Sequence, residues 1–192
     1  MSKGESTRRA ILDRAAVLAR RDGLEGLTIG ALASEMGMSK SGLFAHFGSK
    51  EELQVRVLEH AAESFVDAVV RPGLAAPRGA PRIRALFDRW LAWGGSDHGC
   101  LFVAAAVELD DRDGPPRERL VQIQHDWLDL LANTARTAVR EGHFRDDVDP
   151  DRFAHDLYGI MLACHHARRL LRDPRAIERA RASFESVLHA CQ

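Results

Sequence analysis

The chain is predicted to be all-α: a three-helix, helix-turn-helix domain at the N-terminus, then a larger helical domain, about nine helices in all. Three observations predict this. No stretch alternates β-branched and polar residues as a half-buried strand does. Apolar residues recur instead at three- and four-residue spacing, in stripes that give a helix one buried face. The stripes are bounded by helix punctuation, with Ser, Thr or Asp-Pro at their starts and Gly at their ends.

The first helix is expected over residues 6–21, with Ile11, Ala15 and Leu18 inward and Gly23 past its end. Thr28 caps a short second helix, and a third spans residues 39–47. Ser49-Lys50-Glu51-Glu52 is a capping box, in which the Ser49 hydroxyl accepts from the Glu52 amide and the Glu52 carboxylate reaches back. It opens a long fourth helix to about residue 70, broken by Arg71-Pro72-Gly73. The fifth, residues 81–93, carries Ile83, Leu86, Phe87 and Trp90, and Gly94-Gly95-Ser96 stops it. The sixth, residues 100–108, is apolar nearly all round and is expected to be deeply buried. The seventh, residues 116–141, holds Leu120, Ile123, Trp127, Leu130 and Leu131. Asp149-Pro150 and Asp173-Pro174 each place an acidic cap before a proline at the first helical position. They open the eighth helix, to about residue 172, and the ninth, to about residue 190.

The stretch from Thr28 to Lys50, TIGALASEMGMSKSGLFAHFGSK, is the most informative. Leu32 and Met36 sit one turn apart. Ala33 is small where two helices approach, and Gly37 stands where the turn needs positive φ. Met38 plugs the core past the turn and Leu43 anchors the next helix. Ser39, Lys40, Ser41 and Gly42 leave that helix with a slender polar N-terminal end, the end a recognition helix puts into the major groove. The run Gly42-Leu43-Phe44-Ala45-His46-Phe47, followed by Ser49-Lys50-Glu51-Glu52-Leu53, resembles the DNA-binding signature of TetR-family transcriptional regulators. The resemblance covers residues 7–55 at motif level and the rest as helix pattern and length. It implies a DNA-binding domain over residues 1–48 and a ligand-binding and dimerisation domain over residues 49–192.

The residues expected at DNA are Thr28, Ser39, Lys40, Ser41, Gly42, Phe44, His46 and Lys50. Lys40 can donate to guanine O6 or N7, and Ser39 and Ser41 can serve bases or phosphates. Gly42 allows close approach to the groove wall. Thr28 and Lys50, at helix N-termini, suit phosphates, and the resemblance gives His46 the same role. Plain alternatives stand beside these: a simple cap for Thr28, a solvated lysine for Lys50, a core histidine for His46. Relatives often carry tyrosine where Phe44 stands, with its hydroxyl on a phosphate. Phe44 cannot make that bond, though it can pack on a sugar or a thymine methyl. Ala45 is also smaller than the aromatic residue of some relatives.

The whole chain sets bounds. Its 192 residues are 45% hydrophobic and 29% charged, a globular balance. No apolar run approaches the roughly 20 residues of a membrane span, and residues 1–16 lack a signal peptide's apolar core, so a cytoplasmic location is expected. Cys100, Cys164 and Cys191 are too widely spaced for a zinc or disulfide framework. Cys164-His165-His166 cannot converge on one ion, because neighbours on a helix point about 100° apart. No metal and no cofactor is expected. Net charge is −1, but residues 1–50 carry +3 and the remainder −4, which fits a basic head on an acidic body.

In the body, the resemblance implies a small-molecule pocket and a homodimer. Trp90, Trp93, Phe102, Trp127, Tyr158 and Met161 are candidate pocket walls, with His125 and His165 as polar contacts. The same aromatics also fit plain core. Phe153, Leu157, Ile160 and Cys164 on the eighth helix, and Ile177, Phe184, Val187 and Leu188 on the ninth, form stripes suited to a two-fold four-helix joint. They equally suit an intrachain core, and the resemblance decides for dimerisation.

The function these readings support is a ligand-responsive regulator, a repressor, that binds a palindromic double-stranded DNA operator as a homodimer. A small hydrophobic or aromatic effector releases it. A ligand-binding or scaffolding dimer without DNA binding is the alternative. An all-α enzyme is less favoured: no nucleophile with a base and no paired acids are spaced for catalysis, and Glu108, Asp110 and Asp111 read as a solvated helix end.

Overall fold

The computed structural model describes residues 3–94 and 99–192, and every regular element among them is helical. In order they are α1 (Lys3–Asp22), α2 (Ile29–Glu35), α3 (Lys40–Phe47), α4 (Lys50–Phe65), a π-helical turn (Val66–Val70), α5 (Arg71–Leu74), α6 (Ala80–Trp93), α7 (Leu101–Leu109), α8 (Pro115–Arg140), α9 (Pro150–Arg169) and α10 (Ala176–Cys191). The chain forms two compact units, Met1–Ser64 with Cys100–Ile123 and Phe65–Gly99 with Gln124–Gln192. This division does not coincide with the expected border after residue 48, because most of α4 and all of α7 belong to the compact unit that holds α1 to α3.

In the first unit, Ile11, Ala15 and Leu18 of α1 are buried with Leu32, Ala33, Leu43 and Phe47. Thr28 is extended (φ −121°, ψ 151°), and its hydroxyl accepts from the Ala31 amide at 3.1 Å, starting α2. The stop is a Schellman turn. Met38 N donates to Ala33 O at 2.9 Å and Gly37 N to Ser34 O at 3.2 Å, with Gly37 at φ 63°. Met36 and Met38 are half-buried rather than central. Ser39 caps α3 through the Gly42 amide at 3.1 Å.

Only half of the expected capping box forms. Ser49 Oγ accepts from the Glu52 amide at 3.0 Å, but the Glu52 carboxylate turns outward to Arg56 Nε at 2.7 Å. A charged partner one turn on competes for the carboxylate with a backbone amide. Helix α7 is also less enclosed than its composition suggests: Leu101, Phe102, Ala105 and Leu109 are buried, but Val107 is 75% exposed.

In the second unit, Arg71-Pro72-Gly73 does not break the helix. Arg71 N donates to Val66 O in a wider π-helical turn, and the chain stays helical to Leu74. Pro72 lies in the first turn of α5, where a missing amide is tolerated. Gly73 lets α5 lie against α6, since a methyl group there would collide with Leu86. The aromatic core pairs Phe87 with Phe184, stacked at 4.0 Å, and Phe144 with Phe153 at 5.2 Å. Helix α6 ends at Gly94; Gly95 and Ser96, expected to share that role, lie outside the described residues. Asp149 caps α9 by accepting from the Asp151 and Arg152 amides. Helix α10 begins at Ala176, two residues later than its Asp-Pro signal, because Asp173 closes a turn on the Arg175 amide at 2.9 Å. Among the described residues no helix is long and apolar enough to cross a membrane.

Candidate nucleic-acid interface

Helix α3 has two clearly different faces. Leu43 and Phe47, one turn apart, are buried. Lys40 and Phe44 form a second i,i+4 pair, and Ser41 and Ala45 a third, and all four are exposed, Phe44 at 52%. Gly42 and His46 flank this outward face, half-buried, with the His46 ring tilted 6.2 Å from that of Phe47. Lys40 has no ion-pair partner among the described residues, and its stem lies over Gly30 at the start of α2. The Ser39 hydroxyl is 3.3 Å from that of Ser41. Thr28 is exposed, with its hydroxyl engaged as the cap of α2.

The inner face is held by α1. The Arg8 guanidinium lies 5.4 Å above the Phe47 ring, and Arg14 pairs with Glu35 of α2. His60 Nε2 of α4 is 2.7 Å from Asp13 Oδ1 of α1. Beside that contact is an open cleft of about 310 Å³ lined by Arg8, Leu12, Arg56, Glu59, His60 and Glu63.

Lys50 has partners within the chain. Its ammonium donates to Glu25 O at 2.8 Å and sits 3.3 Å from Glu25 Oε2. It belongs to a network around the turn between α1 and α2 that the sequence reading did not contain. Gln54 donates to Leu24 O at 2.9 Å and Glu25 Oε1 at 3.2 Å, and Arg112 pairs with Glu25 at 2.8 Å. Glu108, expected as a solvated helix end, accepts from the Leu24 and Glu25 amides at 3.2 and 2.7 Å. Burial would raise the Glu25 carboxyl. The Gln54 and Lys50 hydrogen bonds and the charges of Lys50 and Arg112 outweigh it and hold the group below the ordinary carboxylate range. No local signal in the sequence joins residues 24–25 to residues 108 and 112.

The candidate pocket residues fall in several environments. Trp90, Phe102, Trp127 and Met161 are buried, Trp93, Tyr158 and His165 are half-buried, and His125 is exposed. Phe102 belongs to the first unit and the others to the second. Phe65, absent from the sequence reading, meets Trp93 and Trp127 edge-on at 5.6 and 5.0 Å. Burial and the charges of Arg169, Arg168 and His166 hold the His165 imidazole below its usual range, and burial pushes the Cys164 thiol up. Among the described residues no three His, Cys, Asp or Glu side chains converge as metal ligands.

Of the candidate dimer residues, Phe153, Leu157, Cys164, Phe184 and Leu188 are buried within the single chain. Ile160 and Val187 are half-buried and Ile177 is 38% exposed. The outward apolar surface also includes Leu162, Leu170 and Leu171.

Comparison with known proteins agrees with this architecture. The family model for bacterial regulatory proteins of the tetR family matches residues 11–57. The model for the tetracyclin repressor-like C-terminal domain matches residues 79–184, more than half of the chain. The chain belongs to the TetR family. It is thus a TetR-family transcriptional regulator with a DNA-binding helix-turn-helix and a ligand-binding domain. A TetR regulator from Chloroflexus aurantiacus is 26% identical, with a TM-score of 0.87, and the match covers 98% of this chain and 96% of that one. A TetR-family regulator from Streptomyces coelicolor is 21% identical (TM-score 0.83, covering 97% and 96%). AibR, solved in complex with isovaleryl coenzyme A and operator DNA, is 23% identical (TM-score 0.75, covering 93% and 96%). The last two share the fold. No curated protein matches the chain by sequence.

Proposed function

We propose that this TetR-family regulator is a repressor that binds a palindromic operator as a homodimer and is released by a small hydrophobic or aromatic effector. The observation that carries the DNA reading is the outward face of α3. Lys40, Ser41, Phe44 and Ala45 point away from a face fixed by buried Leu43 and Phe47, so packing sets the side the helix turns outward and its polar end stays exposed. Ser39 and Thr28 keep their hydroxyls as caps and contribute at DNA through the helix N-termini they organise. The effector reading is supported by the C-terminal family match and by the aromatic residues of the second unit. AibR, a structural neighbour, was solved with an acyl-coenzyme A and operator DNA together. A coupling of about 1–3 kcal/mol between the two ligands suffices for a switch.

Fluorescence anisotropy with a labelled duplex from the DNA flanking the protein's own gene, against a scrambled duplex, tests this reading. The flanking duplex binds more tightly. Lys40→Ala removes a base contact and costs that duplex about 1–3 kcal/mol while changing the scrambled one little. Equal binding of both duplexes by the native protein contradicts the proposal. Lys50→Ala behaves differently, because its ammonium is already paired with Glu25. It leaves the slope of log affinity against log salt unchanged. A slope reduced by about one would place Lys50 on a phosphate instead.

A further inference from the structure

In the second unit one buried polar group has no hydrogen-bond partner among the described residues. Trp127 is 8% exposed, and its indole Nε1–H has no acceptor among the described residues. Buried tryptophans normally find a partner for this donor, and leaving it unpaired is costly. It sits in an aromatic cluster where Phe65 presses edge-on against both Trp127 and Trp93. One turn earlier on α8, Gln124 Oε1 accepts from the Tyr158 hydroxyl at 2.8 Å, so polar groups adjoin the rings. Phe65 also stands directly before the π-helical turn Val66–Val70, an irregularity of the kind often found at functional sites.

We infer that Trp127 is the anchor of the effector: its indole N–H donates to an oxygen or nitrogen acceptor on a planar aromatic ligand that packs against Phe65 and Trp93. Three aromatic rings provide dispersion and edge-to-face contacts for a flat molecule. The single unpaired donor selects, among such molecules, those that carry an acceptor. The ligand class is therefore aromatic compounds with a carbonyl, ether or ring-nitrogen acceptor, rather than plain hydrocarbons. This rests on the ligand-responsive reading and narrows it.

The test uses the full chain, free of DNA, and two probes of nearly equal shape, 2-acetylnaphthalene and 2-isopropenylnaphthalene, titrated by calorimetry. The native protein binds the ketone about tenfold more tightly, as expected when a buried donor gains its acceptor. Trp127→Phe keeps an aromatic ring, loses the N–H and binds both probes equally. Should Trp127→Phe fold poorly, the chain carrying 3-benzothienylalanine at position 127 retains the shape with sulfur in place of N–H, and it too loses the preference. Equal binding of the probes by the native chain, binding of neither, or a preference that survives loss of the N–H overturns the inference. Operator release is measured separately on the DNA complex, so the anchor and the switch fail independently.

Discussion

At the scale of single residues, Glu25 ties the turn between α1 and α2 to α4 and to Arg112. Its carboxylate meets Lys50, Gln54 and Arg112, and its amide is held by Glu108. Its folded-state pKa is depressed, so the sign is that of a carboxylate whose charged form is favoured by folding. The stabilisation is fully present above the unfolded value of about 4.3 and is lost as pH falls through the lower folded value. Thermal melts of the native chain and Glu25→Gln therefore differ at neutral pH and converge under acid conditions below about pH 4. A gap that stays constant from pH 7 down to acid would show that the carboxylate's charge is not what holds the turn. The outward set at Lys40, Ser41 and Phe44 was legible in the sequence, because i,i+4 spacing around buried Leu43 and Phe47 fixes which side faces out. The partner of Lys50 was not. It depends on where a turn 25 residues earlier comes to rest, and no periodicity encodes that.

At the scale of elements, punctuation carried the fold. Thr28, Ser49 and Asp149 each cap the helix they were expected to cap, and Ser39, expected inside the third helix, caps it instead. Caps act within one turn, so local sequence states them. The errors came where an element's course depends on a neighbour. The Arg71-Pro72-Gly73 break became a π-helical turn and a further helical turn, with Gly73 close against Leu86 of α6. The Glu52 carboxylate left its capping box for Arg56. Gly37 tests the helix-turn-helix at this scale. No heavy atom lies within 4 Å of the position a Cβ would take there, so its φ of 63° is the sole obstacle to a side chain. Gly37→Ala therefore costs about 1–2 kcal/mol through backbone strain, not through collision. Urea denaturation should show this as a lower midpoint with unchanged slope. A null effect would mean that the turn relaxes to negative φ without loss.

For the whole molecule, the question is which apolar surface on α9 and α10 is left for a second chain. The sequence stripes merged two faces into one list, because periodicity marks a residue as apolar-facing without saying what it faces. The structure separates them. Phe184 stacks on Phe87 at 4.0 Å and is 3% exposed, whereas Ile177, on the same helix, is 38% exposed and near the exposed Leu170 and Leu171 in sequence. If the proposed homodimer joins through this outward face, the two residues have separable effects. Phe184→Ala removes core packing and lowers unfolding stability by about 3–5 kcal/mol. Ile177→Asp leaves the fold of the single chain intact, since that side chain already meets solvent. In a two-fold interface each substitution occurs twice, so it adds two charges and removes two apolar contacts. Sedimentation analysis then finds Ile177→Asp shifted toward monomer, with helical content unchanged by circular dichroism. A variant that sediments as the native chain does would exclude this face as the joint and direct the search to another surface of the second unit.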